Sequence, residues 1–332
     1  DGGGIRGLST IAILRELMDR LAMKRNVPVV HPWQEFDMIG GTSTGGLLAI
    51  MLGRLRMSID ECEEAYIDLS ERIFTANRSK GNIVGRGLDF INIRGKFPTE
   101  SLEACVKDVV KSKGLPEDEL LYNISDDGCK VFVSAIRAED GGNTVIRSYI
   151  NPEMPNPMRR YCRIWEAGRA TSAASTFFDP IAIGPHQVMY VDGALGLNNP
   201  IRLVDRESRD IWPDSDRIFI SIGTGTDPGT SLDGNILQLA QRIKEIATET
   251  ERTHEGFYRD NERTLVLNKR YFRFNVEGLE RIGLEEYKAR SAIYAATATY
   301  LETGIAGTMI KELTATLTSR EWISVSKSGP RS

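Results

Sequence analysis

The stretch Ile39-Gly40-Gly41-Thr42-Ser43-Thr44-Gly45-Gly46 decides the reading of this chain. It closes a short apolar run, Phe36-Asp37-Met38-Ile39, and leads into the apolar residues 47–52, the pattern of a strand, a sharp turn and a helix. Gly41-x-Ser43-x-Gly45 fits a nucleophile elbow, in which the serine takes strained backbone angles and the glycines two residues to either side keep bulk out of the crossing point. Ser43 then stands at a helix N-terminus. Unpaired N–H groups and the positive end of the helix dipole there favour the negative charge that develops when a hydroxyl attacks an ester. The pentapeptide alone is a weak signal in a chain with 31 glycines; the flanking strand and helix give it weight.

At the start of the chain, Asp1-Gly2-Gly3-Gly4-Ile5-Arg6-Gly7 is a glycine-rich loop, followed by Leu8, Ile11, Leu14, Leu17, Met18 and Leu21 at helical spacing. Three consecutive glycines let main-chain N–H groups approach an anion, either a phosphate or the oxyanion of a tetrahedral intermediate. Gly2-x-Gly4-x-x-Gly7 also matches a dinucleotide fingerprint, which wants an acidic residue closing the next strand. Here Pro28 breaks residues 27–30 and His31-Pro32-Trp33 follows, so that acid is lacking.

Residues 187–191 read as a strand that delivers Asp192-Gly193-Ala194 at its C-terminal end, where an open parallel sheet presents residues to its ligand crevice. Ser58-Ile59-Asp60-Glu61 is a capping box opening a helix to Ile73, and Thr99 begins another through Val110. Residues 130–136 and 144–150 read as strands, 165–175 as an alanine-rich helix, and 217–222 as a buried strand. A helix starts near Pro200; 236–246 and 284–300 look helical and 264–275 extended. Strands alternating with helices argue for one α/β domain with a mostly parallel sheet.

The chain has 332 residues, 41% of them hydrophobic, enough for one large or two ordinary domains with a sizeable core. A net charge of −4, from 42 basic and 46 acidic residues, gives no overall pull toward nucleic acid. Cys62, Cys105, Cys129 and Cys162 lie far apart with no histidine nearby to complete a zinc site, so they read as reduced structural thiols in an intracellular setting. No run of 18 apolar residues is present. Between residues 77 and 97, Arg78, Lys80, Arg86, Arg94 and Lys96 face a single Asp89 and alternate with aliphatic and aromatic side chains. That mixture suits either a surface touching anionic lipid headgroups or a solvated loop with a few buried anchors.

Asp1-Gly-Gly-Gly-Ile-Arg-Gly7, Gly41-Thr-Ser-Thr-Gly45 and Asp192-Gly-Ala194, in this order and at these separations, resemble the patatin-like phospholipase family. Ala170-Thr-Ser-Ala-Ala174, Asn198-Asn-Pro200 and Ser221-Ile-Gly-Thr-Gly225 look like it too, and the likeness runs to about residue 275. The resemblance implies a three-layer α/β/α fold with a mostly parallel central sheet over residues 1–320, with 321–332 a polar tail. It implies a lipid acyl hydrolase, of phospholipase A or lysophospholipase type, working through a serine–aspartate dyad and an acyl-enzyme. Ser43 is then the nucleophile and Asp192 its partner; Gly2, Gly3 and Gly4 supply the oxyanion N–H groups, and Arg6 takes the loop's basic position. No metal or organic cofactor is implied. The implied partner is membrane or micellar phospholipid or another acyl lipid, with no nucleic acid; 77–97 is the candidate segment for peripheral contact on the first of its two readings, and both ends leave room for further domains. The implied setting is cytoplasmic, membrane-associated when active.

Two departures stand out: Ala194 replaces the second glycine of the usual Asp-Gly-Gly, and no strand leads into Asp1. An aspartate of ordinary pKa, about 3.9, is a weak base for a serine, so a dyad requires burial and a strong oxyanion hole. A triad is the competitor, since Ser43, Asp192 and His254 follow the hydrolase order, although His254 lies in the charged stretch 250–260. His31 and His186 sit beside prolines and read as structural. A reading from another class is a non-catalytic module binding nucleotide or lipid within a larger signalling protein.

Overall fold

A computed structural model describes residues 1–75, 99–125, 128–174, 178–225, 237–302 and 304–319. The basic and apolar segment 77–97 and the tail 321–332 lie outside the described residues. Helix α1 (Gly7–Arg25) buries Leu8, Ile11, Leu14, Leu17 and Leu21 along one side and ends at Asn26, whose φ of +53° is a left-handed cap. It is followed by α2 (Pro32–Glu35), β1 (Met38–Thr42) and α3 (Thr44–Ala49). Helix α4 (Ile59–Thr75) opens on the expected box: Ser58 N–H donates to Glu61 at 2.8 Å and Glu61 N–H to the Ser58 hydroxyl at 3.1 Å.

Next come α5 (Thr99–Ser112), β2 (Lys130–Arg137), β3 (Asn143–Arg147), α6 (Ile164–Thr171), β4 (Ile181–Ile183), β5 (Val188–Asp192) and α7 (Ala194–Leu197). The described chain finishes with α8 (Ile201–Ile211), β6 (Phe219–Ile222), α9 (Leu237–Asp260), β7 (Tyr271–Phe274), α10 (Arg290–Glu302) and α11 (Gly304–Thr318). The α/β class holds. In direction the sheets are mixed: β1 pairs with β2 and β6 with β7 in parallel, whereas β3 and β5 pair with β2, and β4 with β5, antiparallel.

The register has one decisive consequence. Strand β3 occupies one edge of β2 along residues 132–136, so β1 and β5 must share the other edge in tandem: β1 runs beside 130–134 and β5 beside 135–137. Strand β1 travels with β2 and ends at Thr42, opposite Ser134; β5 travels against it and ends at Asp192, opposite Ala135. Two strands far apart in sequence therefore meet C-terminus to C-terminus at adjacent residues of β2.

Side chains of β2 alternate between layers. Val131, Val133 and Ala135 enter the main core, which also holds Leu47 and Leu48 of α3 and Ile164 and Ala167 of α6. Phe132 points the other way, to Tyr149 and Leu203 of α8. Helices thus cover both faces of the sheet. Several expectations shift in extent; the helix expected over 236–246 runs on to Asp260, and the strand expected over 144–150 ends at Arg147. Helix α6 stops at Thr171 because the backbone beyond it is used elsewhere, Ala173 C=O accepting from Asp192 N–H at 3.0 Å. Within 264–275 only Tyr271–Phe274 is a strand; Glu262–Val266 forms a π-helical turn that buries Leu265 beside Phe219 and Phe257. Helix α10 begins at Arg290, after a 3-10 turn at Tyr287–Ala289.

Candidate active site

The elbow geometry follows from the sequence. Ser43 sits at the β1–α3 turn with φ +54° and ψ −124°, a backbone that a residue with a side chain rarely adopts. A β-carbon on Gly41 would lie 2.0 Å from the Gly45 carbonyl oxygen, so only glycine passes under the first turn of α3. On Gly45 it would lie 2.7 Å from the Asp1 carbonyl oxygen. The second glycine of the pattern thus makes room for the N-terminal loop rather than for the turn itself. The Ser43 N–H is held by the Thr171 hydroxyl at 2.9 Å, at the end of α6.

The tandem strands bring Asp192 to Ser43. Its side chain is buried at 4% exposure, and its carboxylate takes a hydrogen bond from Ala194 N–H at 2.8 Å as it turns into α7. Burial lifts the Asp192 carboxyl to about 7, against the opposing pull of the Ala194 N–H and the Ser43 hydroxyl, both of which hydrogen-bond its charged form. Beneath the pair, Thr42 and Ser134 hydroxyls bond each other at 2.6 Å, and Thr42 donates to the Leu197 carbonyl at 2.5 Å. Both are fully buried and tie the ends of β1, β2 and α7 together.

The glycine loop lies alongside. A β-carbon on Gly2 would stand 3.1 Å from the Ser43 β-carbon and 2.4 Å from the Asn198 side-chain oxygen. The loop carbonyls are spoken for: Gly2 accepts from the Thr224 hydroxyl at 2.5 Å, Gly3 from Arg6 N–H at 3.2 Å, and Gly4 from the Tyr66 hydroxyl at 2.5 Å and Thr44 at 3.1 Å. Among the described residues no acceptor takes the N–H groups of Gly2, Gly3 or Gly4. Arg6 sends its Nε to the Ile282 carbonyl at 2.8 Å, and Ile5 N–H binds the Leu284 carbonyl at 2.9 Å, so these residues anchor the loop from behind.

His254 has other work. Its Nδ1 pairs with the Tyr271 hydroxyl at 2.7 Å, burial lowers its pKa, and its ring rests on Tyr258 and Tyr271. The partners of the Asp192 carboxyl are Ser43 and Ala194, with no histidine among them. His31 stacks on Trp33. The four cysteines are free thiols, and burial pushes each of their pKa values up. Among the described residues no helix is long and apolar enough to cross a membrane.

Several supporting residues escape a reading of the sequence. Thr171 lies in the small-residue run and Ser134 in a β-branched strand, each a polar residue inside an apolar stretch, which is the one trace they leave. Asn198 and Thr224 fall in motifs without an evident duty; here Asn198 donates to the Thr250 hydroxyl at 2.9 Å.

A family model described as patatin-like phospholipase matches residues 1–205. The chain is 32% identical over 303 residues to the calcium-independent phospholipase A2-gamma of Mus musculus, a match covering 86% of this chain and 35% of that protein. It is 27% identical over 343 residues to Phospholipase A I of Arabidopsis thaliana, covering 89% of this chain and 25% of that one. To the cGAMP-activated phospholipase of Vibrio cholerae it is 28% identical over 231 residues, covering 68% and 62%. The chain thus spans only about a quarter to a third of the length of the first two relatives.

Proposed function

This chain belongs to the patatin-like phospholipase family, and from that premise we propose that it is a lipid acyl hydrolase whose nucleophile is Ser43 and whose proton acceptor is Asp192. The substrate is a phospholipid or another acyl lipid at a membrane or micelle surface. The observation that carries the reading is the meeting of a strained serine with a buried carboxyl lifted to about 7. An ordinary aspartate is far too weak a base for a hydroxyl, whereas one near 7 is matched to neutral pH and needs no imidazole.

The steps follow from these positions. Ser43 Oγ attacks the ester carbonyl carbon as Asp192 takes its proton. The carbonyl oxygen becomes an oxyanion facing the N–H groups of Gly2, Gly3 and Gly4, which have no acceptor among the described residues and need no reorganisation to receive it. Collapse expels the alcohol, which recovers the proton from Asp192, and leaves an acyl-Ser43 ester. Asp192 then draws a proton from water, whose oxygen attacks that ester; collapse breaks the bond to Ser43 Oγ, which takes the proton back from Asp192 as the fatty acid leaves. Arg6 contributes by fixing the loop through Ile282.

The test uses mixed phospholipid vesicles with release of fatty acid and lysolipid as the readout. Ser43→Ala and Asp192→Asn, each shown to be folded, lose roughly 10⁴-fold or more of the activity, and a fluorophosphonate probe labels Ser43 one to one in the wild type. Retained hydrolysis in either folded variant overturns the dyad. No labelling, with tight nucleotide binding, replaces the enzyme by a binding module.

A further inference from the structure

Strand β7 lies beyond residues 1–205, which the family model matches, yet one of its side chains reaches the first residue of the chain. Arg273 Nη2 donates to the Asp1 carboxylate at 2.8 Å, with the two side chains 7% and 2% exposed. Its Nη1 donates to the Ser221 hydroxyl of β6 at 2.8 Å, and a second acid, Glu251 of α9, stands 3.5 Å away. Glu251 in turn accepts from the Asn275 amide at 2.9 Å, and the Asn275 side-chain oxygen accepts from Gly225 N–H at 2.8 Å.

Asp1 is clamped on every side. Its nitrogen donates to the Ile222 carbonyl at the end of β6 at 2.9 Å, and its carbonyl oxygen lies where a Gly45 side chain would be, on the first turn of α3. The next residue, Gly2, is held by Thr224 and stands against Ser43. The Asp1 carboxylate is therefore one peptide unit away from the N–H groups that face the reacting oxygen. It connects the β6–β7 sheet to both the loop and the elbow.

We infer that Arg273 is a positioning residue: through its buried ion pair with Asp1 it sets the glycine amides at the distance from Ser43 that the oxyanion requires. This rests on the catalytic reading above. A buried ion pair contributes little net stability over well-packed apolar groups but fixes direction and register, which suits a part that must be placed rather than merely kept folded. A misplacement of about 1 Å at a reacting centre costs on the order of 10²-fold in rate. Both side chains are buried away from any bound acyl chain, so the loss falls on kcat.

The experiment compares Asp1→Asn, Arg273→Met and Glu207→Gln with wild type in steady-state hydrolysis of a soluble short-chain ester and in thermal unfolding. Arg147, 5% exposed, and Glu207, 0% exposed, form another buried ion pair at 2.6 Å, beside Tyr149 on the face of the sheet opposite the main core. Expected for Asp1→Asn and Arg273→Met is a fall of about 10²-fold in kcat, KM within about threefold and an unchanged pH midpoint, because Asp192 is untouched. Glu207→Gln lowers the melting temperature and leaves kcat alone. Asp1→Asn is the deciding variant if Arg273→Met fails to fold, because Glu251 still accompanies Arg273. Wild-type kcat in folded Asp1→Asn, or a fall in kcat for Glu207→Gln equal to its own, overturns the inference. Ser43→Ala in the same assay separates the two readings: if it is inactive while Asp1→Asn is fully active, the dyad stands and only the positioning role falls.

Discussion

On the proposed dyad, Asp192 has opposite duties in folding and in catalysis, and both can be read from one titration. Its carboxyl goes from an ordinary 3.8 to about 7 on burial. Between those values the folded protein binds a proton that the unfolded chain has released, so the group's contribution to stability is intact below about pH 4 and is lost as pH rises to 7. At roughly 1.4 kcal/mol per pKa unit, the buried charge costs on the order of 4 kcal/mol above pH 7. Asp192→Asn removes that cost. Differential scanning calorimetry should find it melting several degrees above wild type at pH 8 and close to wild type at pH 4; equal melting at both pH values removes the basis for the raised pKa. Activity runs the other way, since only the ionised form accepts a proton: kcat/KM should climb about tenfold per pH unit and level off near pH 7. A midpoint near 4 would mean that the carboxyl acts at its ordinary pKa and that burial has not lifted it. His254→Ala should leave the same profile in place, because its ring nitrogen is committed to Tyr271.

At the scale of elements, the elbow was legible because its constraints are local. Gly41 and Gly45 are written into a pentapeptide, and each glycine answers a clash that any side chain would create. Gly41→Ala should therefore cost several kcal/mol or give no soluble protein, read as loss of the cooperative melt. What was not legible is the direction of β5. A short run of β-branched residues ending in aspartate looks the same whether it lies parallel or antiparallel to its neighbour, because alternation reports burial and not pairing. The end-to-end meeting of β1 and β5 is a property of the shared edge of β2, spread over three segments of chain. The end of α6 was overrun for a related reason: alanine favours continuing the helix, but the backbone after Thr171 is taken up by β5. Thr171 itself can be tested. Thr171→Val keeps the shape and strands the Ser43 N–H, which should cost about 1–3 kcal/mol in stability and lower kcat, while Thr171→Ser should restore both. Unchanged melting and turnover in the valine variant would show that the strained serine needs no such support.

For the whole molecule, the sequence revealed the class because alternating strands and helices with a 41% hydrophobic content leave few other architectures. It concealed the polar scaffolding, because ion pairs join residues that no local pattern relates. One of these braces the face of the sheet opposite the main core. Arg147 on β3 makes two hydrogen bonds to Glu207 on α8, at 2.6 and 2.7 Å, and the same carboxylate accepts from Tyr149 at 3.1 Å and from Asn151 at 2.9 Å. Burial alone would raise the pKa of Glu207, but hydrogen bonds from Arg147 and Asn151 outweigh it and hold the group at about 2, against an ordinary 4.5. A depressed carboxyl stabilises the fold above its unfolded value, and that share is lost as pH falls from about 4.5 toward 2. At the same rate per unit it amounts to roughly 3 kcal/mol. Glu207→Gln leaves Arg147 buried without its countercharge, which should cost about 3–5 kcal/mol at pH 7. The decisive feature is the pH course: the deficit of Glu207→Gln against wild type in urea unfolding should shrink steadily below pH 4.5, as wild type loses what the variant never had. A deficit that stays constant down to pH 3 would mean that the side chain matters for its shape and hydrogen bonds alone, and that its charge does not hold α8 to the sheet.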